Sequence, residues 1–139
     1  RLGCFSINQL SPSLSALRYA IGLIQKGEQL VVFPEGKINR YGKKLVLKEG
    51  LYRLARLATK KTTSITIIPI GIAYSKIPPN FRGEFCLSFG KPIPINDYSN
   101  FTIKDFNKFL NEKMTLEEQK ALKNVGRWIC NKLLWILII

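Results

Sequence analysis

Three residues of opposite charge stand within six positions of one another: Glu35, Lys37 and Arg40. They follow a short apolar run, residues 30–33, which Pro34 ends by removing a backbone donor and fixing φ. Gly36 lies between the carboxylate and the first cation and permits backbone geometry that other residues resist. Strand, sharp turn, carboxylate and cations in that order have the form of an anion site at a strand end. A plain polar loop after a buried strand is the competing reading, and these residues alone leave both open.

Three other stretches bear on that choice. Gly3-Cys4-Phe5-Ser6-Ile7-Asn8-Gln9 precedes the key turn, Ile67-Ile68-Pro69-Ile70 follows it, and Phe89-Gly90-Lys91-Pro92-Ile93 comes after the next apolar segment. Together with Phe33-Pro34-Glu35-Gly36, these blocks resemble the lysophospholipid and glycerol-3-phosphate acyltransferase superfamily, in the order and at the spacing found there. The resemblance spans about residues 1–95. The departures are specific. Gln9 stands where the family usually has Arg, Lys37 replaces a Thr, and Ile38 replaces a common Arg. Arg40 falls where the family has its second Arg. The family's catalytic His-x4-Asp precedes the first block, and this sequence contains no histidine.

The resemblance implies acyl transfer from a thioester, acyl-CoA or an acyl carrier protein, to lysophosphatidic acid or a related glycerolipid. No other cofactor is implied. Glu35 and Gly36 would then shape the acceptor site and position the glycerol moiety, Lys37 and Arg40 would hold the acceptor phosphate, and Pro69 would form a wall near the thioester or acyl chain. Transfer needs a base on the attacking hydroxyl and stabilisation of the oxyanion. The base would be the missing His, so the chain is expected to lack an N-terminal portion and to be inactive alone. A Ser or Cys hydrolase is excluded by the lack of histidine and of a Gly-x-Ser-x-Gly elbow.

Charge defines a second reading. The net charge is +13, and between Lys37 and Lys61 nine basic residues stand against one acid, Glu49. Such an excess favours anionic partners: phosphate groups, anionic lipid or nucleic acid. Arg53, Arg56 and Lys60 share one face of an expected helix and form the candidate membrane or anion surface. A non-catalytic basic module that binds anionic lipid or nucleic acid is therefore the alternative to the enzyme. No zinc-finger, RRM or KH pattern supports the nucleic-acid form of it.

Cys4, Cys86 and Cys130 are far apart, and with no histidine a zinc site is not expected. An odd number of thiols points to a reducing compartment and to cysteines used in packing. No apolar run reaches the roughly 18 residues of a membrane-spanning helix. The expected location is cytoplasmic, with peripheral attachment to membrane.

The positioning elements follow from pattern. Ser11, Pro12 and Ser13 begin a helix whose stripe is Leu14, Leu17, Ile21 and Ile24, and Gly27 stops it. The run 30–33 reads as a strand buried on both faces, as in a parallel sheet. A second helix over 47–60 buries Leu47, Leu51, Leu54, Ala55 and Ala58. Residues 64–74 form the next strand, in which Pro69 predicts an edge, a bulge or an end. A third strand covers 84–89. Two helices follow, over 103–111 and from Thr115, where Thr115 and Glu118 fit a capping box. The apolar tail, 128–139, reads as the end of a core helix or an interfacial anchor. The expected fold is therefore α/β, a partly parallel sheet with packed helices and a helical C-terminal tail, divided into an acyltransferase-like region, 1–100, and a helical segment, 101–139.

Overall fold

The computed structural model describes residues 3–5, 13–37, 46–60, 64–75, 83–125 and 134–138. The third helix packs on a small sheet, the second packs against the third, and the first against the second. In chain order the elements are α1 (Leu14–Gln25), β1 (Val31–Val32), α2 (Gly50–Thr59), β2 (Thr66–Tyr74), β3 (Phe85–Phe89), β4 (Ile93–Pro94), a 3-10 turn (Ile95–Tyr98), α3 (Ile103–Asn124) and β5 (Leu134–Ile138).

The sheet order is β1-β5-β2-β3, with β4 also paired to β2, and every one of these pairings is antiparallel. The expected parallel pairing is therefore corrected. β5 pairs antiparallel with β1 on one side and β2 on the other, so β1 and β2 run the same way without pairing to each other. The expected C-terminal helix is present over Ile103–Asn124, but the helical reading of 134–138 is corrected by the same strand. Residues 134–138 form a short, wholly apolar run, and such a run carries no period that separates strand from helix. The tail residues 126–133 lie outside the described residues.

Pro69 is neither at an edge nor at an end: it lies within β2, paired with Leu137. On its other side the partner changes, β4 pairing up to Ile67 and β3 from Ile70. The proline's missing donor falls in that gap, where its carbonyl accepts from Gly90 N at 2.8 Å.

The helices form largely as their caps and stripes dictate. Ser13 Oγ accepts from Ala16 N at 3.2 Å to open α1, and Gly27 leaves it at φ +78. Leu14 is exposed, so the buried stripe of α1 begins further along and includes Ala20, Ile21 and Ile24. α2 starts at Gly50, so Leu47 is buried ahead of the helix; the other expected apolar residues are buried in it, and Tyr52 joins them, its hydroxyl donating to Phe101 O at 2.9 Å and Tyr98 O at 3.1 Å.

The two helices expected after residue 103 are one. Thr102 caps α3 by accepting from Asp105 N at 3.2 Å. Thr115 lies inside it, its hydroxyl donating back to Asn111 O at 2.8 Å, which uses no backbone donor and lets the helix continue. Phe106, Leu110, Met114, Glu117 and Ala121 form its buried face. The core joins α1, α2 and α3 to Ile65, Ile67, Ile93 and Ile95.

The run 30–33 is also corrected. Leu30 is buried and Val32 packs against the core, but Val31 and Phe33, which alternate with them, are exposed. Cys4 is exposed and Cys86 half-buried, so packing does not account for Cys4. Cys130 lies outside the described residues.

Candidate functional site

The turn that ends β1 is built from its sequence. Gly36 N donates to Phe33 O at 3.1 Å, closing a four-residue turn with Pro34 at its second position, where a fixed φ near −65° is favourable. Gly36 leaves the turn at φ +65, a conformation costly for other residues. The returning chain is tied to it where Lys48 N donates to Pro34 O at 2.8 Å. Lys48 also lays its side chain over Gly36: a Cβ there would meet Lys48 Cγ at 3.4 Å.

This turn carries Glu35 inward. The residue is 3% exposed, and its Oε2 is buried with no hydrogen-bond partner among the described residues. Burial pushes its pKa up to about 7; the charge of Glu118 adds to the rise and Lys37 opposes it. Near neutral pH the carboxyl is therefore divided between an acid that can donate a hydrogen bond and a base that can accept one. Its Oε2 lone pairs find no donor among the described residues, and exposed Lys37 supplies positive charge beside it.

The opposing wall is α3, which lies unusually close to β2. A Cβ at Gly71 would overlap the backbone of Glu117 and Glu118. At Gly90 a Cβ would meet Pro69 Cγ at 2.7 Å and Glu117 Cγ at 3.0 Å. Glu117 is buried here, its Oε2 accepting from Ser88 Oγ and its Oε1 from Lys120 Nζ, both at 2.6 Å. Burial alone would raise the Glu117 pKa, but the hydrogen bonds from Lys120 and Ser88, with the charge of Lys120, hold it below the usual carboxylate range. Two neighbouring carboxyls of α3 thus have different duties. Glu117 fastens β3 to the helix, and the charge of Glu118 adds to the effect of burial on Glu35.

Of the residues singled out by sequence, Glu35, Gly36 and Lys37 are brought together in the turn. Arg40 lies outside the described residues. Pro69 is fully buried in β2, packed at Gly90. On α2, Arg53 Nη2 pairs with Glu49 Oε2 at 2.7 Å, the Arg56 guanidinium lies 6.0 Å from the Tyr52 ring centroid, and Lys60 is exposed. Glu117, Glu118 and Ser88 were not singled out as site residues. The available signal was position: Glu117 falls on the apolar stripe of α3, where an unpartnered carboxylate would be costly. Among the described residues, no group of three or more His, Cys, Asp or Glu could hold a metal ion.

The Acyltransferase family model matches residues 1–73, which include the β1 turn and most of β2. No curated protein and no solved structure matches the chain.

Proposed function

Because the chain belongs to the acyltransferase family, we propose that it is the acceptor-binding portion of an enzyme that moves a fatty acyl group onto a lysophospholipid such as lysophosphatidic acid. The observation that carries this reading is the Glu35 carboxyl, buried at a strand-end turn beside Lys37 with an oxygen unpartnered among the described residues. In the proposed complex Glu35 holds a glycerol hydroxyl, while Lys37 and Arg40 hold the phosphate. An Arg can bind two phosphate oxygens at once, and a Lys acts as a compact charge.

The donor in this reading is acyl-CoA or an acyl carrier protein, with no further cofactor. In the reaction the acceptor hydroxyl gives its proton to a base and its oxygen attacks the thioester carbonyl. The tetrahedral oxyanion then collapses, the carbon–sulfur bond breaks, and the thiolate leaves and is protonated. The 139 residues contain no histidine to act as that base, so the proposed portion binds acceptor without turning it over. The associated location is the cytoplasmic side of a membrane, with peripheral attachment. Among the described residues no helix is long and apolar enough to cross one.

The experiment is calorimetric titration of lysophosphatidic acid, below its aggregation concentration, into the wild type and Glu35→Ala. Saturable binding weakened about tenfold or more by the substitution is expected. Unchanged binding in the variant would remove Glu35 from the site. A second reading, a non-catalytic module for anionic lipid or nucleic acid, draws on the basic excess between Lys37 and Lys61. Direct competition between anionic vesicles and single-stranded RNA separates its two forms, which salt dependence alone does not.

A further inference from the structure

α3 packs on one face of β2 and β3, and the register identifies what lies on the other. Residues paired across antiparallel strands share a face, as do residues two apart along a strand. Gly71 and Ala73 of β2 face α3, the first against Glu117 and the second packed with Ala121 and Val125. Ile68, Ile70, Ile72 and Tyr74 therefore take the opposite face. Tyr74 pairs with Phe85, Ile72 with Leu87 and Ile70 with Phe89. Val31 joins the same face through the row Val31, Ile138 and Ile68, and Phe33 follows two positions on.

Ile70 and Ile72 are buried in the middle of this face, but the outer strands are not covered. Phe85, Leu87 and Phe89 are 64%, 40% and 59% exposed, and Val31 and Phe33 are 52% and 46% exposed. Those five positions include neither a charged nor a polar residue. Lys91 follows the β3 row and Lys37 follows the β1 row, both exposed.

We propose that this outer face of the sheet seats the protein on an anionic phospholipid bilayer, the Phe and Leu side chains entering the interface and the chain's positive charge drawing it there. The proposal rests on the reading of an amphiphilic, membrane-borne acceptor. Charge selects the occupant. A second copy would bring another +13 against the first, whereas an anionic bilayer complements it. Apolar rows bordered by lysines combine insertion with attraction to anionic headgroups. The basic residues of α2 belong to the helical layer. They lie on a helix that packs against α1, α3 and the 3-10 turn, and they take no part in the apolar rows of the sheet.

The test is flotation of the 139-residue chain with vesicles of phosphatidylcholine alone or mixed with phosphatidylglycerol. The wild type should float with the mixed vesicles and only weakly with the neutral ones. The double substitution Phe85→Ser and Phe89→Ser should lower binding about tenfold or more. Glycerol 3-phosphate titration should be unchanged in that variant, which keeps the acceptor site and the docking face as separate questions. The triple reversal Arg53→Glu, Arg56→Glu, Lys60→Glu should change flotation by no more than about twofold. Far-UV circular dichroism checks each fold, and Phe33→Ser on the opposite outer strand decides if the double variant does not fold. Flotation that survives the Phe substitutions, flotation lost only on reversing the α2 charges, or no flotation by the wild type would overturn the assignment. A lipid-free dimer that the double substitution dissociates would overturn it in favour of a second copy.

Discussion

Gly71 of β2 lies against the backbone of Glu117 in α3 with no room for a Cβ between them. The contact is backbone to strand, so no side-chain rotation can relieve an added methyl group. It fixes the height of α3 over the sheet. That height places Glu118 where its charge acts on Glu35, and Glu117 where Ser88 reaches it. Gly71→Ala should therefore destabilise the fold by about 1–3 kcal/mol or more through overpacking. It should also weaken lysophosphatidic acid binding under conditions where the variant is still folded. Urea denaturation followed by titration in the folded range measures both. Wild-type stability in the variant would mean that α3 can lift away freely.

The Glu35 carboxyl predicts an unusual dependence of stability on pH. Its pKa rises from 4.5 to about 7 on folding, chiefly through burial. Between those values the folded state binds more protons than the unfolded state, so this group makes stability fall as pH rises. The full loss is about 3 kcal/mol, present above about pH 7 and absent below the unfolded value. Glu35→Gln keeps the shape and removes the titration. Relative to wild type it should be more stable at about pH 8 and similar near pH 4. Denaturation midpoints across that range decide it, and parallel curves for the two proteins would show that Glu35 does not titrate there.

The elements that chemistry alone marks were legible in the sequence. Pro34 and Gly36 are turn residues for different reasons, and together they announced the break that turns Glu35 inward. Ser13 and Gly27 bounded α1, and four of the five expected apolar residues, Leu51, Leu54, Ala55 and Ala58, gave the buried face of α2, while Leu47 is buried ahead of it. What failed depended on partners distant in sequence. Residues 134–138 carry no period, so only pairing with β1 and β2 makes them a strand. Inserting that strand is what replaces the expected parallel pair. Thr115 and Glu118 satisfy a capping pattern, but Met114 and Glu117 continue one buried face through it, and tertiary packing outweighs the local alternative. Gly71 is a strand glycine like many others until the helix above it is known.

Ser88 predicts a pH effect of the opposite sign. Its hydroxyl donates to Glu117 Oε2 at 2.6 Å, and that bond helps hold the buried carboxylate ionised. A folded-state pKa below 4.5 contributes stability that is present above the unfolded value and lost as pH falls through the folded one. Ser88→Ala should cost about 1–3 kcal/mol near neutral pH, since it takes a partner from a buried charge. The cost should shrink in acid, where Glu117 is protonated in both proteins. Lys120→Ala should cost less, because Lys120 is half exposed and water can replace much of its charge. A Ser88→Ala deficit that stays constant from neutral to acid pH would mean that packing, not ionisation, sets its role.

The phosphate clamp is tested by comparing two cations of different geometry. Lys37 stands at the turn beside Glu35, and Arg40 follows three positions later in the sequence. If both hold the acceptor phosphate, Arg40→Ala should weaken binding more than Lys37→Ala, because a guanidinium can make two parallel hydrogen bonds to phosphate. Loss of charge-assisted bonds of this kind is worth about 1.5–3 kcal/mol, or more than tenfold in affinity. Arg40→Lys should recover part of the loss, keeping the charge without the fork. Lys37→Ala should have a second effect that Arg40→Ala need not share. The Lys37 charge opposes the rise in the Glu35 pKa, so its removal should push that pKa further up and move the pH dependence of binding upward. Titrations of glycerol 3-phosphate and of lysophosphatidic acid across pH, in the wild type and the three variants, measure both affinity and profile. Binding of wild-type strength in Arg40→Ala would take the arginine out of the clamp, and an unmoved pH profile in Lys37→Ala would uncouple the lysine from Glu35.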